Sequence, residues 1–157
     1  MDVFSRRKRS EVMSHIRGRD TQPELLVRAM LSRMRFRFIG HAPDLPGRPD
    51  FALPRHRAVI LVHGCFWHLH QGCRYAATPS SNTAFWQNKL LLNVGRDARN
   101  EKSLRRWGWR VLVIWECALR ATRRGADALA PKLRRWIISG RGRTEIPRKA
   151  RVVRTGS

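Results

Sequence analysis

The sequence is poor in acidic residues and cysteines, and it has no long apolar run. Its 157 residues include 11 Asp and Glu and 3 Cys. A membrane-spanning helix needs roughly 20 apolar residues and a signal peptide needs an apolar core, so neither is expected and the protein should be cytoplasmic. Because an odd number of cysteines in a reducing compartment argues against disulfides, we expect free thiols or metal ligands.

The scarcity of acids leaves a large positive charge. Lys and Arg total 33, which gives a formal net charge of +22, and most of these residues are Arg. Such a chain repels itself unless it meets a polyanion, and the guanidinium group suits phosphate oxygens and base edges. DNA or RNA is therefore the favoured partner. A ribosomal-type, Arg-rich composition stays open, whereas a membrane surface is disfavoured because the cations are not confined to one helix.

The alternation of apolar and polar residues predicts a single α/β domain. Thr21, with Pro23 and Glu24, has the signature of a helix start, and apolar residues follow at helical spacing to about Met34. The other predicted elements are strands at 36–39, 49–53, 58–62 and 109–115 and helices at 85–107 and 127–138. This order predicts a mixed central sheet flanked by helices. We expect a basic arm at 1–20, the folded domain at 21–140 and a basic, disordered tail at 141–157.

One segment concentrates unusual chemistry. Residues 63–73 read His-Gly-Cys-Phe-Trp-His-Leu-His-Gln-Gly-Cys, directly after an apolar strand. Thiolate and imidazole are the preferred ligands of zinc, and exposed aromatic rings are the wedges that proteins insert between bases. The segment therefore indicates a metal and a nucleic acid together.

The spacing of the cysteines sharpens the metal hypothesis. Cys65, His70 and Cys73 form Cys-x4-His-x2-Cys, and Cys117 follows the second buried strand. If those strands are neighbours, the four side chains meet as a closed, tetrahedral, structural zinc site. The spacing also permits His68 in place of His70. Cys117 as a packed core thiol is the alternative interpretation.

A second cluster has the composition of a hydrolytic site. Asp50 begins one strand, and its carboxylate is expected near the end of the next strand, where His63 emerges and His68 follows. In phosphodiester hydrolysis a carboxylate holds Mg²⁺ and an imidazole takes a proton from the attacking water. The competing interpretations are that Asp50 is only a strand-start residue and that Glu24 is only the capping partner of Thr21.

Several longer segments of the sequence carry a combination of residues that is specific to one protein family. The relevant residues are Leu45-Pro46-Gly47-Arg48-Pro49-Asp50-Phe51, Val62-His63-Gly64-Cys65-Phe66-Trp67-His68, Phe85-Trp86, Asn93-Val94 with Arg96-Asp97, Gly108-Trp109-Arg110-Val111-Leu112 and Trp115-Glu116-Cys117-Ala118-Leu119-Arg120. From about Arg9 to Ile138 the chain closely resembles the very short patch repair mismatch endonuclease family. The resemblance implies a bacterial, Mg²⁺-dependent DNA nicking enzyme with a restriction-endonuclease-like fold. Such enzymes cut beside a T:G mismatch left by deamination of 5-methylcytosine.

The resemblance also implies roles for individual residues. Asp50 matches the Mg²⁺ ligand, helped by the main-chain carbonyl of Val62, and His68 matches the general base. Glu24 and His63 match groups that hold waters or phosphate beside it. The structural zinc ligands of the family match Cys65, His70, Cys73 and Cys117. Its DNA-contacting residues match Met13, Phe66, Trp67, Trp86, Lys89, Asn93 and Arg96.

Within the implied DNA-contacting set, Met13 belongs to the arm that approaches from the minor groove, while Phe66 and Trp67 enter the base stack from the major groove. The match favours His70 over His68 as the zinc ligand. The implied partner is double-stranded DNA carrying a T:G mismatch. A monomer associated with the bacterial nucleoid, with mismatch-repair proteins as further partners, is expected by analogy.

The chain departs from the family pattern in three places. Val62 stands where relatives have threonine, the spacing from His70 to Cys73 is one residue longer than in some members, and the second strand lacks Glu-x-Lys. Histidines are therefore expected to do the work of that motif. A zinc-stabilised DNA- or RNA-binding protein without catalytic activity is the alternative from a different functional class.

Overall fold

The computed structural model describes residues 20–120 and 122–147. The helices are α1 (Gln22–Arg33), α2 (Thr83–Arg106), α3 (Glu116–Arg120) and α4 (Thr122–Ser139). The strands are β1 (Ile39–Gly40), β2 (Phe51–Leu53), β3 (Ala58–His63), β4 (Arg110–Trp115) and β5 (Arg143–Ile146). None of the helices in these ranges is long and apolar enough to cross a membrane.

The five strands form one mixed sheet in the order β1-β2-β3-β4-β5. The pairs β1–β2 and β2–β3 are antiparallel, and the pairs β3–β4 and β4–β5 are parallel. The expectation of a mixed central sheet flanked by helices is therefore confirmed.

Both faces of the sheet are buried, because successive side chains of β3 and β4 point to opposite sides. On one face, Ile60 and Leu112 pack with residues of α1 and α4, including Leu31 and Leu133. On the other face, Val59 and Val113 join a cluster with Leu104 of α2 and with Cys65. The layers are thus helices, sheet and helix, with the two central strands apolar on both sides.

The strand directions decide where the site lies. In the parallel pair, His63 at the end of β3 is level with Trp115 at the end of β4. Because β2 runs antiparallel to β3, Asp50, which precedes β2, lies at the same edge of the sheet. The loop from Gly64 and helix α3 both leave from this edge, so three chain segments converge there.

The structure differs locally from the prediction at one strand and around the last helix. The strand predicted at 36–39 is reduced to Ile39–Gly40, because Phe36 and Phe38 pack against the core without forming a ladder. The last helix starts at Thr122 instead of 127 and is preceded by the unpredicted α3.

Strand β5 forms inside the segment expected to be disordered. Its polar sequence lacks the apolar alternation of a strand, but it pairs with β4 through four residues. Arg143 forms ion pairs with Glu101 of α2 at 2.8 Å and with Glu145 at 2.6 Å, and Glu145 is buried. Ion pairing and the ladder thus replace the apolar contacts that sequence patterning detects. The predicted arm at 1–20, apart from Asp20, lies outside the described residues, as do Met13 and the segment from 148.

Candidate functional site

A cleft of about 1200 Å³ opens at the carboxyl ends of β3 and β4. Its walls come from the start of α1, the loop before β2, the segment after β3, one side of α2 and the start of α3. Asp50, Glu24, His63 and His68, the four residues expected to carry catalysis, all line it. The structure therefore brings the predicted catalytic set together.

The carboxylate of Asp50 is held by the backbone of the neighbouring strand. The Val62 N–H donates to Asp50 Oδ2 at 2.7 Å. The pKa of Asp50 is raised to about 7, mainly by burial and also by the nearby Glu24 carboxylate, while the hydrogen bond from Val62 opposes the rise. Two carboxylates this close together favour a shared proton or a bound cation. The described contact of Val62 with Asp50 is through its N–H, whereas the resemblance points to its carbonyl.

Glu24 is fixed in the cleft by the start of helix α1. Thr21 caps the helix, since its Oγ1 accepts from the Glu24 N–H at 3.4 Å. Glu24 Oε2 accepts from the Asp20 N–H at 2.9 Å and lies 3.5 Å from Nε2 of His41, and the residue is 6% exposed. Thr21 thus caps the backbone of Glu24, as the capping interpretation expects, whereas the Glu24 carboxylate accepts from the Asp20 N–H and lies beside Asp50.

The two histidines form a stacked pair. The rings of His63 and His68 are parallel within 3°, with centroids 3.9 Å apart. Burial, followed by the charge of His68, lowers the pKa of His63 to about 3, so His63 stays neutral at physiological pH. His68 Nδ1 donates to Asp97 Oδ2 at 2.5 Å. This bond places the proton on Nδ1 and leaves Nε2 of His68 as the basic nitrogen.

Sequence reasoning gave no role to Asp97 or His41. Asp97 lies four residues after Asn93, so both face the same side of α2, and Asn93 Nδ2 donates to the Trp67 carbonyl at 3.2 Å. This spacing and the place of Asp97 in the matched Arg96-Asp97 pair were the signals that the sequence offered. His41 comes from the loop before β2, and its place beside Glu24 depends on the docking of that loop against α1.

A second cluster lies beside the first. Reactive atoms of Cys65, His70, Cys73 and Cys117 all lie within 4.8 Å of one another. The Cys117 N–H donates to Cys65 Sγ at 3.4 Å, and Cys117 Sγ lies 3.5 Å from His70 Nδ1. Burial raises the pKa of Cys65 to about 12 and also raises that of Cys117, so a bound cation is needed to hold these groups as thiolates at neutral pH.

Three thiols and one imidazole fit a tetrahedral zinc ion by ligand type and number. His68 belongs to the other cluster, with His63 and Asp97, which resolves the ambiguity left by the spacing in favour of His70. Cys117 packs against the core, as the alternative of a packed core thiol expects, and its sulfur also lies beside the imidazole of His70.

Aromatic rings and cations form the rim of the cleft. Phe66, Trp67 and Trp86 contact one another edge to face, with centroids 5.0 to 6.0 Å apart. Trp86 is only 7% exposed, so it supports the other two rings from behind, while the neighbouring Phe85 is 58% exposed. Lys89 Nζ lies 5.6 Å from the centre of the Trp67 ring.

The other predicted DNA-contacting residues of α2 lie on the same side of the helix. Lys89, Asn93 and Arg96 line the cleft, and Arg96 Nη2 donates to Asn93 Oδ1 at 2.9 Å. Phe85 was missed as a rim residue, although its place next to Trp86 in the sequence was a signal. The rim thus offers rings for stacking and cations for phosphates beside the acidic and histidine cluster.

Several known endonucleases are similar to this chain. The family model for the DNA mismatch endonuclease Vsr matches residues 1–74. The DNA mismatch endonuclease Vsr of Escherichia coli is 42% identical over 137 residues, covering 87% of each chain. The type II nicking enzyme V.XorIIP of Xanthomonas oryzae is 44% identical over 118 residues, covering 75% of this chain and 86% of the relative. Among solved structures, the catalytic domain of the homing endonuclease I-Bth0305I matches with a TM-score of 0.48 and 22% identity, over 76% of this chain and 97% of that one.

Proposed function

This chain belongs to the DNA mismatch endonuclease Vsr family, and on that premise we propose that it nicks DNA beside a T:G mismatch by Mg²⁺-dependent hydrolysis. That it is a DNA endonuclease follows from its relatives. The proposal adds the substrate, the metal and the residues. The observation that carries it is the convergence of Asp50, Glu24, His63 and His68 on one cleft bordered by rings and cations.

Asp50 is the proposed Mg²⁺ ligand, together with the carbonyl of Val62. Support comes from the burial of Asp50 and from the close approach of Glu24, which together make an ionised Asp50 unfavourable unless a cation is present. Carboxylate and carbonyl oxygens are the ligands that Mg²⁺ prefers. When bound, Mg²⁺ supplies neutralisation of the charge that develops on the scissile phosphate.

His68 is the proposed general base. Its Nδ1 is held by Asp97, so Nε2 is free to accept a proton from the attacking water. Asp97 also stabilises the imidazolium that forms, in the manner of other carboxylate–histidine pairs. His63, neutral and stacked on His68, keeps that ring in place and presents a polar edge to water or phosphate. Glu24 is proposed to hold water beside Asp50.

Zinc at Cys65, His70, Cys73 and Cys117 is proposed as a structural ion. The segment between β3 and α2 contains only one short 3-10 turn (Arg74–Ala76), so it has little regular structure to hold it. A tetrahedral ion would link this segment to the start of α3. The ion takes no part in the reaction.

Phe66 and Trp67 are the proposed wedge at the mismatch, with Trp86 as their support. Opening a base step costs a few kcal/mol, and less at a wobble pair, so ring insertion favours a mismatched site. Lys89, Asn93 and Arg96 are proposed to contact the duplex along α2, and Met13 is proposed to approach from the opposite groove.

The direct test compares nicking of matched oligonucleotide duplexes that differ only in a T:G or a T:A pair, with and without Mg²⁺. We expect nicking of one strand of the T:G duplex in Mg²⁺ only. Asp50→Asn should bind the duplex with unchanged affinity and fail to nick it, while Asp44→Asn, a change at an exposed position of the same loop, should nick normally. Equal nicking of both duplexes, or nicking by the Asp50 variant, would contradict the proposal.

A further inference from the structure

The cleft contains an acidic side chain that the proposed reaction does not use. Within the described residues, the acids lining it are Glu24, Asp50, Asp97 and Glu116. The first three contact the metal site or the general base. Glu116 is the first residue of α3 and stands on the rim side, next to the aromatic wedge.

The carboxylate of Glu116 is held in one orientation. Arg120 donates to Oε1 through both Nε and Nη2, at 2.8 and 2.6 Å, and its guanidinium lies 4.9 Å from the ring centre of Tyr75. Both of these bonds end on the same oxygen. The other oxygen, Oε2, lies on the side of Gly64 and Trp67: a Cβ placed on Gly64 would be 3.6 Å from Oε2 and 3.4 Å from Trp67 Cδ1.

A fixed negative charge in this position is unfavourable for phosphate. DNA phosphates are attracted by the surrounding cations and repelled by a carboxylate, so Glu116 weakens binding if it faces the DNA backbone. A carboxylate facing the base edges has the opposite effect, because it accepts a hydrogen bond from an exocyclic amino group and rejects a keto oxygen. Its place beside Trp67 puts it within the part of the cleft where a wedge exposes base edges.

We propose that Glu116 is a specificity-determining residue, whose Oε2 accepts a hydrogen bond from the exocyclic amino group of a base next to the Trp67 wedge. The proposal rests on the proposed function, because it needs a duplex seated in the cleft. Arg120 acts as the positioning residue, since it turns Oε2 away from itself and toward the wedge.

The experiment removes amino groups one at a time from the DNA. Wild-type protein is assayed on T:G duplexes in which single bases near the mismatch are replaced by analogues without the amino group: purine for adenine and 2-pyrimidinone for cytosine, whose amino groups lie in the major groove, and inosine for guanine as a minor-groove control. We expect kcat/KM to fall by about 5- to 100-fold at one position and to change little elsewhere. This arm needs no variant, so it does not depend on the folding of one.

The protein arm uses Glu116→Gln. Arg120 can still bind the amide oxygen, which leaves an amino group in the place of Oε2 and turns an acceptor into a donor. We expect this variant to lose sensitivity to the missing amino group and to prefer a base with a keto oxygen at that position. The matched control is Glu101→Gln, which makes the same charge change at an arginine-paired glutamate that does not line the cleft and should keep the wild-type preference.

The outcomes distinguish a failure of this inference from a failure of the proposed function. Equal rates of wild-type nicking on all amino-deleted duplexes would overturn this inference alone, and so would an unchanged base preference in Glu116→Gln. The absence of nicking on every T:G duplex would overturn the proposed function and the inference with it.

Discussion

Asp50→Asn is expected to stabilise the protein in Mg²⁺-free buffer above neutral pH. The pKa of Asp50 is raised to about 7 from 3.8, so the folded state binds a proton that the unfolded state has released between these two values. Stability conferred by neutral Asp50 is therefore lost as pH rises from about 4 to about 7, and does not change further above 7. Asn has no proton to lose and keeps an oxygen for the Val62 N–H.

The magnitude follows from the size of the pKa difference. Each pH unit in this window corresponds to about 1.4 kcal/mol, so the stability advantage of Asp50→Asn should grow by about 3 kcal/mol between pH 5 and pH 8, nearly all of it below pH 7. The change of this stability advantage with pH is more informative than its value at one pH, because any pH-independent effect of the substitution cancels.

Urea denaturation at several pH values measures this difference, with zinc retained and no chelator present. Asp44→Asn is the control, because Asp44 is exposed in the same loop, and its stability difference from wild type should not depend on pH. Adding Mg²⁺ at pH 8 should stabilise the wild type but not Asp50→Asn, since a ligand that binds only the folded state adds to its stability. A pH-independent difference, or Mg²⁺ stabilisation of the Asn variant, would refute the reasoning.

Three further substitutions test other parts of the structure. Asp97→Asn removes the charge that orients His68 and should lower single-turnover nicking by at least about tenfold while duplex affinity stays constant; an equal loss of affinity would argue against this role. Cys73→Ser should reduce the amount of bound zinc, measured by atomic absorption, and should lower the free energy of unfolding by several kcal/mol. A variant with normal stability would show that the cluster is not structural. Arg110→Met should destabilise by about 2–4 kcal/mol in urea, because Arg110 donates to four carbonyls, of His56, Trp136, Ile137 and Gly140; a loss below 1 kcal/mol would contradict this.

The cluster of three cysteines and His70 could be predicted because its geometry is mostly local. Cys65, His70 and Cys73 lie within nine residues, and the fourth ligand needs only that two apolar strands be parallel neighbours. The same reasoning placed Asp50 beside the end of β3, since short antiparallel connections leave little freedom. These residues were found because patterning decides which strands pair, and pairing decides which strand ends meet.

Asp97, His41 and Glu116 could not be assigned in the same way. Asp97 and Glu116 lie on helices whose rotation about their own axes is set by packing, and His41 lies in a loop whose position is set by docking against α1. Periodicity in the sequence does not give the partners of such side chains. Asp97 meets His68 because Leu90 and Leu104 bury one side of α2 and thereby turn its polar side to the cleft. The partner of a polar side chain on α2 thus depends on the core beneath the helix.

The two clusters are joined by a single aromatic ring. Trp115 stacks on the His70 imidazole at 4.1 Å, with the planes 7° apart, and meets the His63 imidazole edge to face at 5.3 Å. His63 in turn stacks on His68. A shift of the loop at 64–73, which carries Cys65, His70 and Cys73, would therefore move Trp115. Trp115 is packed too tightly to move without displacing His63. Because this loop carries both the proposed wedge rings, Phe66 and Trp67, and the proposed general base, His68, the same packing sets the distance between those rings and the His68 imidazole.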